Sequence, residues 1–465
     1  MLTYSFDDRG NEPLYEYLYN QIKKDITSFK LSADEKLPSK RALAKNLNIS
    51  IITVENAYSQ LIAEGYIYSV PKSGFYVCDI SSAKPMSEEK PKRVIKTATD
   101  KKKYIADFVN NSMSKDSFPF TVWSKLMREI MSDLSEKLMV RSPSAGVEAL
   151  RNAIADYLYQ FRGMAVEPEQ IVVGAGTEYL YGLIIQLLGH EKKYGVEDPG
   201  YEKISRIYKS NNVKCEHISL DDNGINIEEL EESKSDVLHI SPAHHFPTGF
   251  VTPISRRYEL LSWASKNPDR YIIEDDYDSE FRFLGKPIPP LQSIDVLDKV
   301  IYINTFSKSL SSTIRISYMV LPKPLMEKYK KELSFYSCTV SNFDQYTLAK
   351  FIDDGYLEKH INRMRNYYRT QRDTLLSCIK KQSAYNKVRI SEEHAGLHFL
   401  MEIETKLTDE VLKERAAKAG VNIAFLSEYF YDKNKAKSHT VVINYSGLNK
   451  ESIEKGIDVL FGVIE

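Results

Sequence analysis

Residues 37–77, LPSKRALAKNLNISIITVENAYSQLIAEGYIYSVPKSGFYV, decide the fold of the N-terminal part of this 465-residue chain. Ser39 and Ser50 each precede an apolar run with helical spacing, and a serine in that place caps a helix by accepting a hydrogen bond from its first turn. Gly65 ends the second of these helices. From Tyr66 onward, apolar and polar residues alternate around a Lys-Ser-Gly turn, which predicts a β-hairpin.

A further helix precedes this stretch. Pro13 suits a first helical turn, and the segment LYEYLYNQIKKDITSF, residues 14–29, brings Leu18, Ile22 and Ile26 onto one face. Three helices followed by a hairpin are the elements of a winged helix-turn-helix. In that fold the second helix of the motif enters the major groove of DNA, and here its base-facing end is residues 50–56.

Several cations lie close to that end. A basic run without an intervening acid precedes it, and the hairpin tip adds one more lysine: Lys36, Lys40, Arg41, Lys45 and Lys72. Such side chains could hold phosphates. Residues 1–80 carry about as many acids as bases, so an ordinary solvated surface is an open alternative on spacing alone.

The whole stretch resembles the DNA-binding domain of the GntR family. The resemblance rests on the Leu-Pro-Ser-x-Arg opening, the Thr-Val pair, the Ala-Tyr-x-x-Leu-x-x-Glu-Gly-Tyr run and the glycine of the wing. It implies double-stranded DNA as a partner, with contacts by Arg41, Thr53 and wing residues near Gly74. The family usually places Arg after the serine that starts the recognition helix, whereas this chain has Ile51.

Composition changes after the hairpin. Residues 81–103 contain two prolines, many charges and no aromatic residue, which predicts a flexible linker between a winged helix-turn-helix over 1–80 and a larger domain over 104–465. The four cysteines follow no metal or disulfide spacing. We find no signal peptide and no membrane span, so we expect a cytoplasmic protein.

The larger piece alternates β-rich and amphipathic helical segments. Strands are predicted at IVVGAG (171–176), KKYGVEDP (192–199), RYIIEDDYD (270–278) and KVIYINTFSK (299–308), among others. This alternation predicts an α/β domain with a largely parallel sheet. After about residue 325 the pattern becomes helical and ends in a small α+β unit.

Lys308 follows one of these strands, at the sheet edge where α/β proteins bind ligands. An ordinary surface lysine is the commonplace interpretation. However, Thr305 and Ser307 precede it and Arg315 comes seven residues later, and hydroxyls with a guanidinium suit a phosphate dianion. A lysine in that setting is what an aldehyde cofactor requires.

Asp275 ends a neighbouring strand, and Tyr277 comes two residues later. A carboxylate there could pair with a ring nitrogen, and a phenol could reach a ring hydroxyl. The alternatives are a plain acidic loop or a metal site built from this aspartate with Glu274, Asp276 and Asp278. Because no matching ligand cluster occurs elsewhere in the sequence, we predict no metal.

Two further segments complete the set. Gly176 and Thr177 lie in GAGTE (174–178) between a strand and a helix, where backbone N–H groups can meet phosphate. Tyr201 in EDPGY could stack on a planar ring, although an ordinary turn aromatic is the alternative.

The order GAGTE, EDPGY, SPAHHFPTG, EDDYDSEF, TFSKSLSSTIRIS, AGLHF resembles the fold-type-I aminotransferases, and most closely the MocR-type regulators of the GntR family. The resemblance covers about residues 12–78 and 104–462, and it implies pyridoxal 5′-phosphate. It implies the Schiff-base lysine Lys308, the ring-nitrogen partner Asp275, the O3′ neighbour Tyr277, the stacking Tyr201, the phosphate ligands Gly176, Thr177, Thr305, Ser307 and Arg315, and His244, His245 and Thr248 near the ring.

Two departures from the resemblance concern the ligand. Aminotransferases and many of these regulators have an Arg near the C-terminus that clamps a carboxylate, and this chain has Val442 there. The branch that senses GABA has Arg where this chain has Lys203, a point charge without a bidentate fork. We predict Lys203 as an effector contact and at most residual transaminase activity.

The preferred hypothesis is therefore a pyridoxal-phosphate-dependent DNA-binding regulator that senses the cofactor or a small amine or amino acid through Schiff-base chemistry. The alternatives are an aminotransferase with an accessory DNA-binding domain, and a DNA-binding protein whose large domain is only a scaffold. The resemblance also implies a homodimer with each DNA-binding head swapped onto the partner subunit.

Overall fold

The computed structural model describes residues 2–6, 9–10, 12–80, 104–110, 117–283, 285, 287–394 and 396–464. The chain divides into two compact units, Met1–Lys101 and Lys102–Glu465. The predicted linker, 81–103, lies outside the described residues.

Among its described residues, the N-terminal unit contains three helices and a small antiparallel sheet with the strand order β1-β3-β2. Its elements are α1 (Leu14–Thr27), β1 (Lys36–Leu37), α2 (Lys40–Leu47), α3 (Ile51–Ala63), β2 (Ile67–Val70) and β3 (Gly74–Val77). The predicted helices and hairpin are confirmed.

Serine caps start two of the helices as predicted. The backbone N–H of Ala42 donates to Ser39 Oγ at 3.2 Å, and that of Thr53 donates to Ser50 Oγ at 3.0 Å. Each cap satisfies an amide that has no partner inside its helix. The start of α3, the predicted base-facing end, is therefore fixed by its own sequence.

The larger unit is an α/β domain followed by an α+β subdomain. Its strands are β4 (Ala106–Asp107), β5 (Ile171–Gly174), β6 (Lys193–Asp198), β7 (Lys214–Asp221), β8 (Gly224–Ile225), β9 (Val237–Ile240), β10 (Tyr271–Asp275), β11 (Val300–Thr305), β12 (Ser317–Val320), β13 (Val388–Ser391), β14 (His398–Ile403), β15 (Val421–Asn422), β16 (Ala424–Phe425) and β17 (Thr440–Asn444).

Its helices surround these strands. They are α4 (Phe120–Asp133), α5 (Ser135–Leu138), α6 (Glu148–Arg162), α7 (Thr177–Leu188), α8 (Glu202–Ser210), α9 (Ile227–Ser233), α10 (Ile254–Ser265), α11 (Phe306–Ser309), α12 (Lys323–Glu332), α13 (Asn342–Asp353), α14 (Tyr356–Lys380), α15 (Asp409–Lys418) and α16 (Lys450–Ile464).

The main sheet has the strand order β5-β12-β11-β10-β9-β6-β7-β8. Strands β7, β6, β9, β10 and β11 run parallel, whereas β12 is antiparallel to both its neighbours. The expected parallel α/β domain is thus confirmed. Strands β7 and β12 were not among the predicted strands.

This topology brings the predicted site residues to one edge of the sheet. Asp275, the last residue of β10, is in register with Ile303 of β11. Thr305 ends β11, and Lys308 lies one helical turn beyond it in α11. Because parallel strands end at the same edge, side chains separated by some thirty positions become neighbours.

The C-terminal subdomain has a four-stranded antiparallel sheet in the order β13-β14-β17-β16, and residues of α14, α15 and α16 share its hydrophobic core. Its core includes Ala106 and Phe108, which come from the start of the unit. No helix among the described residues is long and apolar enough to cross a membrane.

Candidate cofactor site and nucleic-acid interface

A cavity of about 790 Å³ opens at the carboxyl edge of the main sheet. Tyr201, Asp275, Tyr277, Lys308 and Arg315, all predicted site residues, line it together. The volume is in the usual range for a cofactor or small-ligand pocket.

Asp275 is buried and has one oxygen engaged and one open. Tyr181 donates its hydroxyl to Oδ2 at 2.5 Å, and Nε2 of His239 lies 3.7 Å from the same oxygen. Oδ1 is buried and has no hydrogen-bond partner among the described residues. Since an unsatisfied buried carboxylate oxygen is costly, the open oxygen fits a protonated ring nitrogen.

His239 is itself held in place. Its Nδ1 lies 2.6 Å from the hydroxyl of Tyr208, which is fully buried. Tyr181 and His239 therefore orient Asp275 from behind, on α7 and β9. The sequence analysis missed both residues.

Lys308 lies in a buried environment that lowers the pKa of its ammonium to about 8, with the nearby Asp278 acting in the opposite direction. Burial disfavours the charged form. A larger fraction of the amine is consequently neutral near pH 7 than for an exposed lysine. A neutral amine is the form that attacks a carbonyl.

The end of the cavity that is predicted to hold the phosphate, here called the phosphate end, is built around Gly176 and Arg315. Gly176 has φ +94°, and a Cβ added there would lie 2.5 Å from Nη2 of Arg315. Only a glycine therefore lets the guanidinium lie against the start of α7. Thr305 Oγ1 donates to Ser307 Oγ at 2.9 Å on the adjacent wall. Two hydroxyls, a guanidinium and a helix N-terminus form a donor set that fits a phosphate.

Glu178 lies among these donors and was not predicted as a site residue. Its carboxylate accepts a hydrogen bond from Lys203, and its Oε2 lies 3.4 Å from Nη2 of Arg315. The hydrogen bond from Lys203 is the main cause that lowers the pKa of Glu178. The predicted effector contact, Lys203, is thus paired with Glu178 on the cavity wall.

Three predicted residues lie behind the cavity wall instead of on it. His244 Nδ1 lies 3.2 Å from the hydroxyl of Tyr277 and 2.9 Å from Asp278 Oδ1. His245 Nδ1 lies 2.7 Å from Oγ1 of Thr248. Tyr277 lines the cavity, whereas these three side chains do not. They therefore lie behind the lining residues and support them.

The acids considered as a metal site face different partners. Glu274 accepts hydrogen bonds from the backbone N–H groups of Leu291 and Gln292, at 2.7 and 2.9 Å. Asp276 forms a buried ion pair with Arg162 at 2.6 Å.

Another cluster has metal-ligand residue types. His244, Asp278 and His398 place one ligand atom each within 4.8 Å of one another. His244 and Asp278 are hydrogen-bonded to each other, and His398 Nε2 lies 3.1 Å from the carbonyl oxygen of Pro247. The hydrogen bond between His244 and Asp278 and that between His398 and Pro247 account for the arrangement, and the absence of a metal stays a prediction.

Aromatic side chains form the outer wall of the cavity. Tyr201 is half-exposed and meets the ring of Phe246 edge to face, with centroids 5.8 Å apart. The ring of Tyr431 stacks on that of His217, with centroids 3.7 Å apart.

Val442, at the position of the expected carboxylate-clamping Arg, is fully buried in β17. This position therefore offers no charge to a bound carboxylate.

In the N-terminal unit, the side chains predicted to contact DNA differ in their exposure and in their contacts with other side chains. Arg41 is exposed on α2, and Lys72 is exposed at the hairpin tip beside Gly74, which has φ +124°. Lys40 is paired with Glu55, its Nζ 2.6 Å from Oε1. The hydroxyl of Thr53 lies 2.8 Å from that of Ser50. Arg41 and Lys72 are thus better placed than Lys40 to meet phosphates.

Comparison with known proteins assigns both units to families. Residues 14–77 match the bacterial regulatory proteins of the gntR family, and residues 106–460 match aminotransferase class I and II.

Two curated relatives extend over nearly the whole chain. The uncharacterised HTH-type transcriptional regulator YdeL of Bacillus subtilis is 38% identical, with 96% of each chain covered. The HTH-type pyridoxine biosynthesis transcriptional regulator PdxR of Corynebacterium glutamicum is 30% identical over 89% of this chain and 88% of its own.

Among solved structures, a Pyrococcus horikoshii kynurenine aminotransferase shares the fold. It has a TM-score of 0.67 and 24% identity, and the match covers 78% of this chain and 91% of the enzyme. The predicted combination of a winged helix-turn-helix with a fold-type-I aminotransferase-like domain is confirmed.

Proposed function

The chain belongs to the GntR family of bacterial regulatory proteins, in the MocR-type branch that joins the DNA-binding domain to an aminotransferase-like domain. From this premise we propose that the occupancy of its pyridoxal phosphate site controls how the chain binds double-stranded DNA. It is a transcriptional regulator, and the cofactor-binding fold serves it as a sensor.

The observation that supports the proposal most is that Asp275 and Lys308 line the same cavity. Asp275 offers a ring nitrogen a buried oxygen that has no partner among the described residues, and Lys308 is an amine with a pKa lowered to about 8. When bound, pyridoxal phosphate supplies an aldehyde that condenses reversibly with amines. A domain that served only as a scaffold would have no need for this pair.

The residues of this chain divide the work between them. Asp275 would hold a proton on the ring nitrogen of the cofactor, and Tyr181 and His239 keep its carboxylate oriented. Gly176 and Arg315 would bind the phosphate at the start of α7. Tyr201 lies on the cavity wall, where it can cover one face of the ring.

The effector is a small amine or amino acid, or the cofactor itself. Val442 supplies no carboxylate clamp, and Lys203 is already paired with Glu178. Both features favour a sensor over an aminotransferase that must bind and release amino acids rapidly. An amine that enters competes with Lys308 for the cofactor and so changes the state of the site.

The chain acts as a homodimer with each head swapped onto the partner subunit, in the cytoplasm where its DNA lies. Two heads in one dimer would contact two half-sites at a spacing fixed by the dimer. A ligand can shift such an assembly only by binding one arrangement of it more tightly than another.

The cofactor assignment is tested by titrating full-length protein, freed of cofactor, with pyridoxal phosphate. We expect a new visible absorbance band in the wild type and none in Lys308→Ala. Lys323→Ala is the matched control, because Lys323 is an exposed lysine of the same domain paired with Glu167 at 2.8 Å. A band that persists in Lys308→Ala would contradict the assignment.

A further inference from the structure

The first two residues of α3 are large, apolar and exposed. Ile51 is 47% and Ile52 is 68% exposed, whereas the later apolar residues Val54 and Leu61 are fully buried. The isoleucine pair therefore contributes nothing to the core of the N-terminal unit. It is presented at the end of the helix that, in a helix-turn-helix, meets the base edges.

The same helix lacks the side chains that recognise guanine. Residues 51–63 contain no Arg and no Lys. Arg and Lys side chains make the commonest specific contact with guanine in the major groove. The acid nearest the pair, Glu55, is one turn further along and is held by Lys40 at 2.6 Å. The reading end is thus aliphatic, with its adjacent negative charge already paired.

The helix α2 and the strand β2 of the hairpin both contact α3, and α2 and the hairpin tip carry exposed cations. Arg41 and Lys45 are exposed on α2, and Lys72 is exposed at the hairpin tip. Exposed cations on the neighbouring elements suit the phosphates that border a groove of DNA, and an aliphatic pair suits an apolar group on the base edges. In the major groove, the apolar group that a standard base presents is the C5-methyl of thymine.

We propose that Ile51 and Ile52 recognise thymine methyl groups, so that each half-site carries thymines where α3 begins. This inference rests on the proposed DNA-binding function and adds the chemistry of the base that is recognised. Burial of one thymine methyl group against an aliphatic side chain is expected to increase the affinity for DNA about fourfold.

The test uses full-length protein and duplex DNA selected from a random pool. Each thymine of the selected site is then replaced by uracil, which removes only the methyl group. Wild-type protein should lose about fourfold in affinity at each of one or two replaced positions. The double variant Ile51→Ala/Ile52→Ala should bind thymine and uracil versions equally.

Two controls separate base recognition from general effects. Ile62→Ala makes the same chemical change at the other end of α3, where Ile62 is 39% exposed, and should keep the wild-type uracil sensitivity. Arg41→Ala should weaken all sequences and reduce the salt dependence by about one phosphate contact, whereas the isoleucine variants should keep it.

The outcomes are distinct. Uracil sensitivity that the double variant abolishes supports the inference. A wild type insensitive to uracil, or a double variant with unchanged sensitivity, overturns it while leaving the proposed function intact. A pool that yields no enriched sequence contradicts the proposed function, and the inference falls with it.

Discussion

The hydroxyl of Tyr181 donates a 2.5 Å hydrogen bond to Oδ2 of Asp275, which leaves Oδ1 of that buried aspartate without a partner among the described residues. The contact links the first turns of α7 with the last residue of β10. The start of α7 also contributes to the phosphate end of the cavity. One helix thus contributes to both ends of the proposed cofactor site.

The first prediction concerns the charge of Asp275. Asp275→Asn removes the anion that keeps a proton on the ring nitrogen, and a hydrogen bond between charged groups contributes about 1.5–3 kcal/mol. Affinity for pyridoxal phosphate, measured by absorbance titration, should fall roughly tenfold to a hundredfold. Tyr181→Phe keeps the charge and should cost less. Wild-type affinity in Asp275→Asn would contradict the assignment.

The second prediction concerns Glu178, whose carboxylate lies between Lys203 and Arg315 in the phosphate end. An anion there competes with phosphate, so Glu178→Gln should bind both inorganic phosphate and pyridoxal phosphate more tightly. Because these side chains are partly exposed, we expect a gain of about two- to fivefold. Both affinities are measured by titrating the protein with pyridoxal phosphate in the absence and presence of competing inorganic phosphate.

The matched control for that experiment is Glu167→Gln. Glu167 also pairs with a lysine, Lys323, but does not line the cavity. It should leave both affinities unchanged. Equal affinities in Glu178→Gln and the wild type would mean that the carboxylate does not compete with phosphate.

The third prediction is a pH dependence set by Lys308, whose pKa is lowered to about 8 by burial. The neutral amine reacts, and its fraction falls about tenfold per pH unit below the pKa. The rate of cofactor attachment in rapid-mixing absorbance experiments should therefore rise up to about pH 8 and then level off. A rise that continues to pH 10 would indicate an unperturbed lysine.

The fourth prediction concerns catalysis. With buried Val442 in place of a carboxylate clamp, α-amino acids lack a bidentate charged contact, and turnover should be at most residual. Keto acid should not accumulate beyond one equivalent of protein, even when the amino acid changes the absorbance of the bound cofactor. Sustained formation over many turnovers would identify the chain as a working aminotransferase.

The sequence was sufficient to place Asp275 and Lys308 at one edge of the sheet, although their roles stay predictions. Asp275 ends a strand with a clear apolar run, Lys308 comes shortly after another, and the ends of parallel strands share one edge. The helix caps Ser39 and Ser50 were predictable for a similar reason, since capping depends on residues two or three positions away. Local chemistry and a simple topology were enough in both cases.

Tyr181, His239 and Glu178 were not predicted, because their roles depend on pairings across the fold. Tyr181 reaches Asp275 over 94 positions, and Glu178 reaches Arg315 over 137. No local pattern distinguishes a tyrosine on an apolar helix from a core residue. The strand β12 was also not predicted, and its antiparallel direction is evident only from its pairing with β11 and β5.

The coupling of the cofactor site to DNA is the central claim, and operator affinity tests it most directly. The measurement compares a selected duplex with and without pyridoxal phosphate, and with and without an amine that changes the cofactor absorbance, in wild type, Lys308→Ala and Lys323→Ala. We predict a change of about 5- to 150-fold in the wild type and in Lys323→Ala, and its loss in Lys308→Ala. The same affinity under every condition in all three proteins would contradict the account and leave the larger domain as a scaffold.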